Sequence, residues 1–130
     1  MKPLRLLDSN FFIAILRRGG DPFNVLEDYV ALFEFAVCGM VRMEVLRGIR
    51  QPKLLESVRE GFSRLIWLPI RESTWDLSSE ILKELEKTGR PIPVQDVVIA
   101  ACAVEAGAAV VTHDTHFRRI DGLEVLAPPV

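Results

Sequence analysis

Two short, mainly apolar runs each end on an acid: LRLLD at Asp8 and VVTHD at Asp114. Such runs read as buried strands. In open parallel sheets, ligand sites form beyond the carboxyl ends of strands, so two strands that each deliver a carboxylate there can bring them together. Two further acids stand in apolar settings. Asp96 precedes VVIAACAVEA, a helix apolar nearly all round and therefore buried. The acid falls in its first turn, where the helix dipole favours the ionised form. Glu44 lies in GMVRMEVLRG, flanked by Met40, Val41, Val45 and Leu46, and an acid among apolar neighbours needs a partner. Taken singly, each has an ordinary structural reading. Asp8 and Asp114 can be turn or cap residues, Asp96 a helix cap, and Glu44 a solvated helix acid. Converging, the four would repel one another, and three have no basic residue beside them. A divalent cation is the simplest remedy. Carboxylates and water suit hard ions such as Mg²⁺ and Mn²⁺. The reaction such a site serves best is metal-assisted phosphodiester hydrolysis; two ions would sit about 3.5–4 Å apart.

The elements that must position these acids alternate short apolar runs with longer amphipathic ones, an α/β pattern. Residues 4–8 read as the first strand, followed by a helix to about Arg17 that Ser9 or Asn10 can cap. Asp21-Pro22 starts a second helix, with Phe23, Leu26, Tyr29, Val30 and Phe33 at helical spacing. Further strands are expected at 34–38, at 66–70 (with a proline that suggests an edge), at 109–112 and near 123–126. Helices are expected over about 40–49, 53–64, a stretch opened by a capping-box-like Ser73 and Asp76, and the run after Asp96. Residues 126–130 read as a frayed tail, and the whole of 1–130 as one domain.

Composition narrows the class. The hydrophobic fraction is 49%, ample for a packed core. No apolar run approaches a membrane span, and the start lacks a signal peptide's apolar region, so a cytoplasmic protein is expected. Cys38 and Cys102 lie in apolar stretches and read as buried free thiols. A net charge of −2 argues against coating nucleic acid by bulk charge, but not against a basic rim beside an acidic site. Arg17, Arg18, Arg42, Arg47, Arg118 and Arg119 flank the acids. Most are read as solvated surface; some can hold a phosphate.

These residues together resemble the PIN domain family, and within it the small VapC-type toxins of prokaryotic toxin–antitoxin pairs. LLDSNFFIAIL resembles the family's opening strand with its acid at Asp8 and an Asn two places on, Asn10. MEVLRG resembles the helix motif with its acid at Glu44. PIPVQDVVIAACAVEAGAAVVTHDTHF resembles the closing half, placing acids at Asp96 and Asp114 and a threonine at Thr112. The resemblance implies a three-layer α/β/α fold with a central, mainly parallel sheet of four or five strands. It implies a Mg²⁺- or Mn²⁺-dependent ribonuclease, usually a homodimer, neutralised by a cognate antitoxin. Asp8, Asp96 and Asp114 would bind metal directly or through water. Glu44 would bind metal or act as general base, and Thr112 and Asn10 would support the ligands. One departure stands out: many relatives carry another acid at the position of His116.

Other readings are a PIN fold that binds RNA or protein with little or no nuclease activity, and a different carboxylate-metal enzyme such as a phosphatase or receiver-like domain. A receiver wants an acidic pair near its first strand and a lysine on a late one, and neither is present. A zinc site from His113, His116 and the cysteines does not match finger spacings; His116 is read as a surface or rim residue able to touch RNA. Phe11, Phe12, Trp67 and Trp75 are read as core or interface. The apolar face of residues 23–33 has more apolar positions than one small sheet covers, and part of it is read as dimer or antitoxin contact.

Overall fold

The structure is a computed structural model and describes residues 1–129. Among the described residues, five strands form one all-parallel sheet: β1 (Leu4–Leu7), β2 (Glu34–Cys38), β3 (Ile66–Leu68), β4 (Ala109–Val111) and β5 (Val125–Leu126). Their spatial order is β3-β2-β1-β4-β5. Successive strand residues face opposite sides of a sheet, and Leu6 and Leu7, Ala36 and Val37, and Val110 and Val111 are all buried. Both faces are therefore covered at the centre, as the run-like apolar sequences require. The covering helices are α1 (Ser9–Arg17), α2 (Pro22–Glu27), α3 (Gly39–Leu46), α4 (Pro52–Ser63), α5 (Glu72–Lys87) and α6 (Val94–Ala106). The expected three layers and parallel sheet are present. The proline-bearing run ends after Leu68 and is an edge strand. Among the described residues, no helix is long and apolar enough to cross a membrane.

The order places β1 between β2 and β4, so the chain first winds one way from β1 and later the other. The gap between the carboxyl ends of β1 and β4 is the topological switch point, where such sheets hold ligands. In sequence, Asp8 directly follows β1 and Thr112 directly follows β4. The buried helix α6 returns the chain to that gap. Eight consecutive residues, Asp96 to Ala103, are buried. Gly107 closes the helix at φ 68°, a left-handed conformation that glycine takes without strain.

Three expectations need correction. The second helix ends at Glu27, after which Tyr29 and Leu32 close successive turns. The helical spacing through Phe33 does not mark a buried face, because Val30 and Leu32 are exposed and Phe33 leaves to pack against Phe35 and the Arg5 guanidinium. Ser73 and Asp76 do not cap α5. The Arg71 N–H donates to Thr74 Oγ1 at 2.9 Å, and Ser73 donates to Glu105 of α6; the hydroxyls serve a helix–helix tie that a one-dimensional pattern cannot show. Leu126 belongs to β5 rather than to a tail, and Val130, the last residue of that expected tail, lies outside the described residues. The thiols are buried and free as read.

Phe12, Phe23 and Phe62 form a ring cluster joining α1, α2 and α4, with centroids 5.0–5.8 Å apart. Gly61 makes room for it, since a Cβ there would lie 2.2 Å from the Phe23 ring. Alanine normally favours a helix over glycine by about 1 kcal/mol. Gly61→Ala is nevertheless expected to destabilise the protein by about 1–3 kcal/mol, through overpacking. Urea denaturation checks the sign: a stabilised variant would mean that the cluster yields freely.

Candidate metal centre

Asp8 is the hinge of the site. Its N–H donates to Val111 O at 3.0 Å, continuing the β1–β4 ladder. Its Oδ1 accepts from the Ser9 N–H at 2.8 Å, which makes Asp8 itself the N-cap of α1. The expectation that Ser9 or Asn10 takes the cap is corrected. The helix begins immediately after the acid, so one carboxylate caps the helix and faces the switch point. Its other oxygen, Oδ2, accepts from Thr112 Oγ1 at 2.8 Å.

The Thr112 hydroxyl is fully engaged. It donates to Asp8 and accepts from Asn10 Nδ2 and from the Asp114 N–H, each at 3.0 Å. Asn10 Oδ1 in turn accepts the His113 N–H at 3.1 Å. The two strand ends are thus bolted together through Thr112 and Asn10, and Asp8 is locked in one orientation.

Asp96 sits in the first turn of α6 and is buried. Asp114 lies at the start of a short 3-10 turn, Thr115–Arg119, with its carboxylate half exposed. The acids are close enough to oppose one another's ionisation. Burial first, and then the charges of Asp96 and Asp114, push the Asp8 carboxyl up to about 6 despite its bonds to Thr112 and Ser9. Burial, then Asp8 and Asp96, raise Glu44. Burial raises Asp96 too, with Asp114 adding to it and His116 pulling it back. Among the described residues, no lysine or arginine forms an ion pair with any of the four. Glu44 Oε1 is buried without a hydrogen-bond partner. Asp96 and Asp114 are brought within ligand distance of each other, together with His116; Asp8 and Glu44 lie outside that group but near enough for their charges to be felt, with Thr112 and Asn10 behind Asp8.

An oxygen-rich cluster with mutual repulsion, an orphaned buried carboxylate oxygen and, among the described residues, no lysine or arginine paired to it fits a hard divalent ion. His116, read from sequence as a rim residue, belongs to the cluster instead. Its Nε2 lies 2.7 Å from Asp96 Oδ2 and 3.8 Å from Asp114 Oδ2. The signal in sequence was its place two residues after Asp114, within the same turn. His113 is exposed and contributes only its backbone N–H.

Beyond Glu44 runs an open groove of about 560 Å³, with Ile13 and Leu16 in its wall and Arg17, Arg47 and Arg50 along it. Two of the flanking arginines singled out in sequence lie there. Arg42 instead lies over the Trp67 ring, and Arg119 donates to Pro91 O. Phe11 and Phe12 are core; Trp67 and Trp75 are about half exposed.

A model of the PIN domain matches residues 5–123. The chain belongs to the PIN domain family. Among PIN relatives, Ribonuclease VapC19 of Mycobacterium tuberculosis is 28% identical over 96 residues, 74% of each chain. Two solved structures share the architecture. One is VapBC2 from Rickettsia felis bound to a promoter DNA fragment, at TM-score 0.82 and 24% identity, covering 96% of this chain and 98% of that one. The other is DNA-bound VapBC from Salmonella typhimurium, at TM-score 0.80 and 26% identity over 98% of both chains. The PIN fold expected from the four motifs is the fold observed.

The charge arrangement sets a pH dependence for the metal-free protein. A carboxyl whose folded pKa is raised contributes most stability below its unfolded value and loses it as pH climbs through the folded value. For Asp8 that window runs from 3.8 to about 6, and the loss is about 3 kcal/mol. Asp8→Asn removes this loss but leaves one carboxamide oxygen for two donors, at a cost of about 1 kcal/mol. In EDTA the variant is expected to be less stable than the parent at pH 4 and more stable at pH 7.5. Thermal melts at the two pH values check it; the same ranking at both would show that Asp8 carries no such burden.

Proposed function

We propose that this PIN domain, with residues 1–130 acting as one unit, is a metal-dependent endoribonuclease of the VapC type. It hydrolyses RNA phosphodiester bonds and is neutralised by a cognate antitoxin. The observation that supports this reading is a set of acids, Asp8, Glu44, Asp96 and Asp114, whose charges oppose one another's ionisation while, among the described residues, no lysine or arginine pairs with any of them. The name of its curated relative and the VapBC assemblies of its structural relatives support RNA as substrate and an antitoxin as partner.

A bound Mg²⁺ or Mn²⁺ would offset the repulsion among the acids and polarise the scissile phosphoryl group. Asp8, Asp96 and Asp114 would hold it, directly or through water. Asp8 is kept in place for that task by its two donors, Ser9 and Thr112, and Asn10 keeps Thr112 turned toward it. Supports of this kind fix ligand orientation. Glu44, with a free oxygen and a carboxyl held above its usual range, is suited to take the proton of the attacking water. The groove arginines would hold the RNA backbone beside the cut by phosphate contacts, which position without reading sequence. The exposed Val30 and Leu32 are candidates for homodimer or antitoxin contact, and the chain is assigned to the cytoplasm.

One observation favours a second reading, a PIN fold that binds RNA or protein without cutting it: an oxygen of Asp96 is engaged by His116. Incubating a structured RNA pool with Mn²⁺, with and without EDTA, separates the two. Cleavage that EDTA stops and that Asp96→Asn abolishes is expected. Glu44→Gln should slow it by about 10²–10⁴-fold while metal still binds. Cleavage that survives Asp96→Asn in a clean preparation would remove the assignment.

A further inference from the structure

Three donor atoms of two kinds meet at one point: a carboxylate oxygen from Asp96, one from Asp114 and a ring nitrogen from His116, all within 4.8 Å of one another. Two come from the turn that follows β4 and one from the N-terminal turn of α6. The imidazole is held where it is. It stacks on Phe117, with centroids 5.2 Å apart and an interplanar angle of 29°, and Phe117 is fully buried. A neutral imidazole nitrogen either donates a proton or offers a lone pair. Without an ion, Nε2 can donate to Asp96 at 2.7 Å and hold that carboxylate in place. The other tautomer turns a lone pair to the same point.

We propose that His116 is a metal ligand in this chain and that its nitrogen makes the site prefer Mn²⁺ to Mg²⁺. The proposal rests on the reading of Asp96 and Asp114 as metal-binding residues. Mg²⁺ takes oxygen donors and gives up its waters reluctantly. Imidazole suits transition-metal ions. A neutral nitrogen also brings less negative charge than a third carboxylate would, which weakens the hold on an ion bound chiefly by electrostatics. Both effects shift selectivity in the same direction.

The test measures metal binding on the full chain without RNA. Mn²⁺ is titrated by the electron paramagnetic resonance signal of the free ion, and Mg²⁺ by competition. In the parent, Mn²⁺ should bind at least about tenfold more tightly than Mg²⁺. His116→Asp should narrow that ratio by about tenfold or more by strengthening Mg²⁺, and His116→Gln should narrow it by weakening Mn²⁺. Substoichiometric Mn²⁺ should broaden the His116 Nε2 resonance of histidine-labelled parent protein, a readout that needs no variant to fold. A ratio unmoved in both folded variants, or a sharp His116 resonance, overturns the proposal. Such a result, with Mn²⁺ binding lost in Asp96→Asn, would leave the functional reading standing. Mn²⁺ binding indifferent to Asp96→Asn would instead remove the site on which both rest.

Discussion

Repulsion among carboxylates is the constraint around which the molecule is built. Asp8 and Asp96 are buried, Glu44 has a buried oxygen without a partner, and Asp114 stands close enough to add its charge. Left to themselves, such groups would move apart or protonate. They stay because each is fixed by an element with its own reasons to be there. Asp8 is tied into the β1–β4 ladder and the start of α1, Asp96 into a helix buried along most of its length, and Asp114 into a turn pinned to the Thr112 hydroxyl. The apolar core secures the elements, and the elements hold the acids against one another.

The hydrogen bonds behind the acids divide the work. Thr112 and Asn10 join the ends of β1 and β4 with neutral groups and add no charge. His116 meets Asp96 and Asp114 from outside the strands, and the Arg47 charge acts on Glu44. His116 lies in the turn after β4, so a change there alters the cluster without touching a strand. A change at Thr112 would loosen Asp8, Asn10 and Asp114 together.

Much of this was legible in the sequence, because strong local signals and topology agreed. Apolar runs ending in Asp8 and Asp114, and the all-round apolar helix after Asp96, fix a parallel sheet with its acids at one edge. What failed did so for physical reasons. The spacing of Phe23 to Phe33 imitates a helix face, yet Phe33 is claimed by Arg5 and Phe35 across the sheet. Ser73 looks like a cap until Glu105, thirty-two residues away, takes its hydroxyl. Asp8 was treated as either a cap or a ligand, whereas its two oxygens allow it to serve both ends. The contact of His116 with Asp96 spans twenty residues of chain, so in sequence only its place beside Asp114 points to the cluster.

The pairing of Leu6 with Val110 also gives the protein a timetable. The central strand β1 leaves a ribosome well before β4, the strand that completes its far side, because most of the other elements lie between them in the chain. Asp8 cannot meet Thr112 or Asp114 until β4 and the turn after it have been made. A chain that stops short of β4 therefore has acids but no cluster, and the acids are brought together only once that strand is in place.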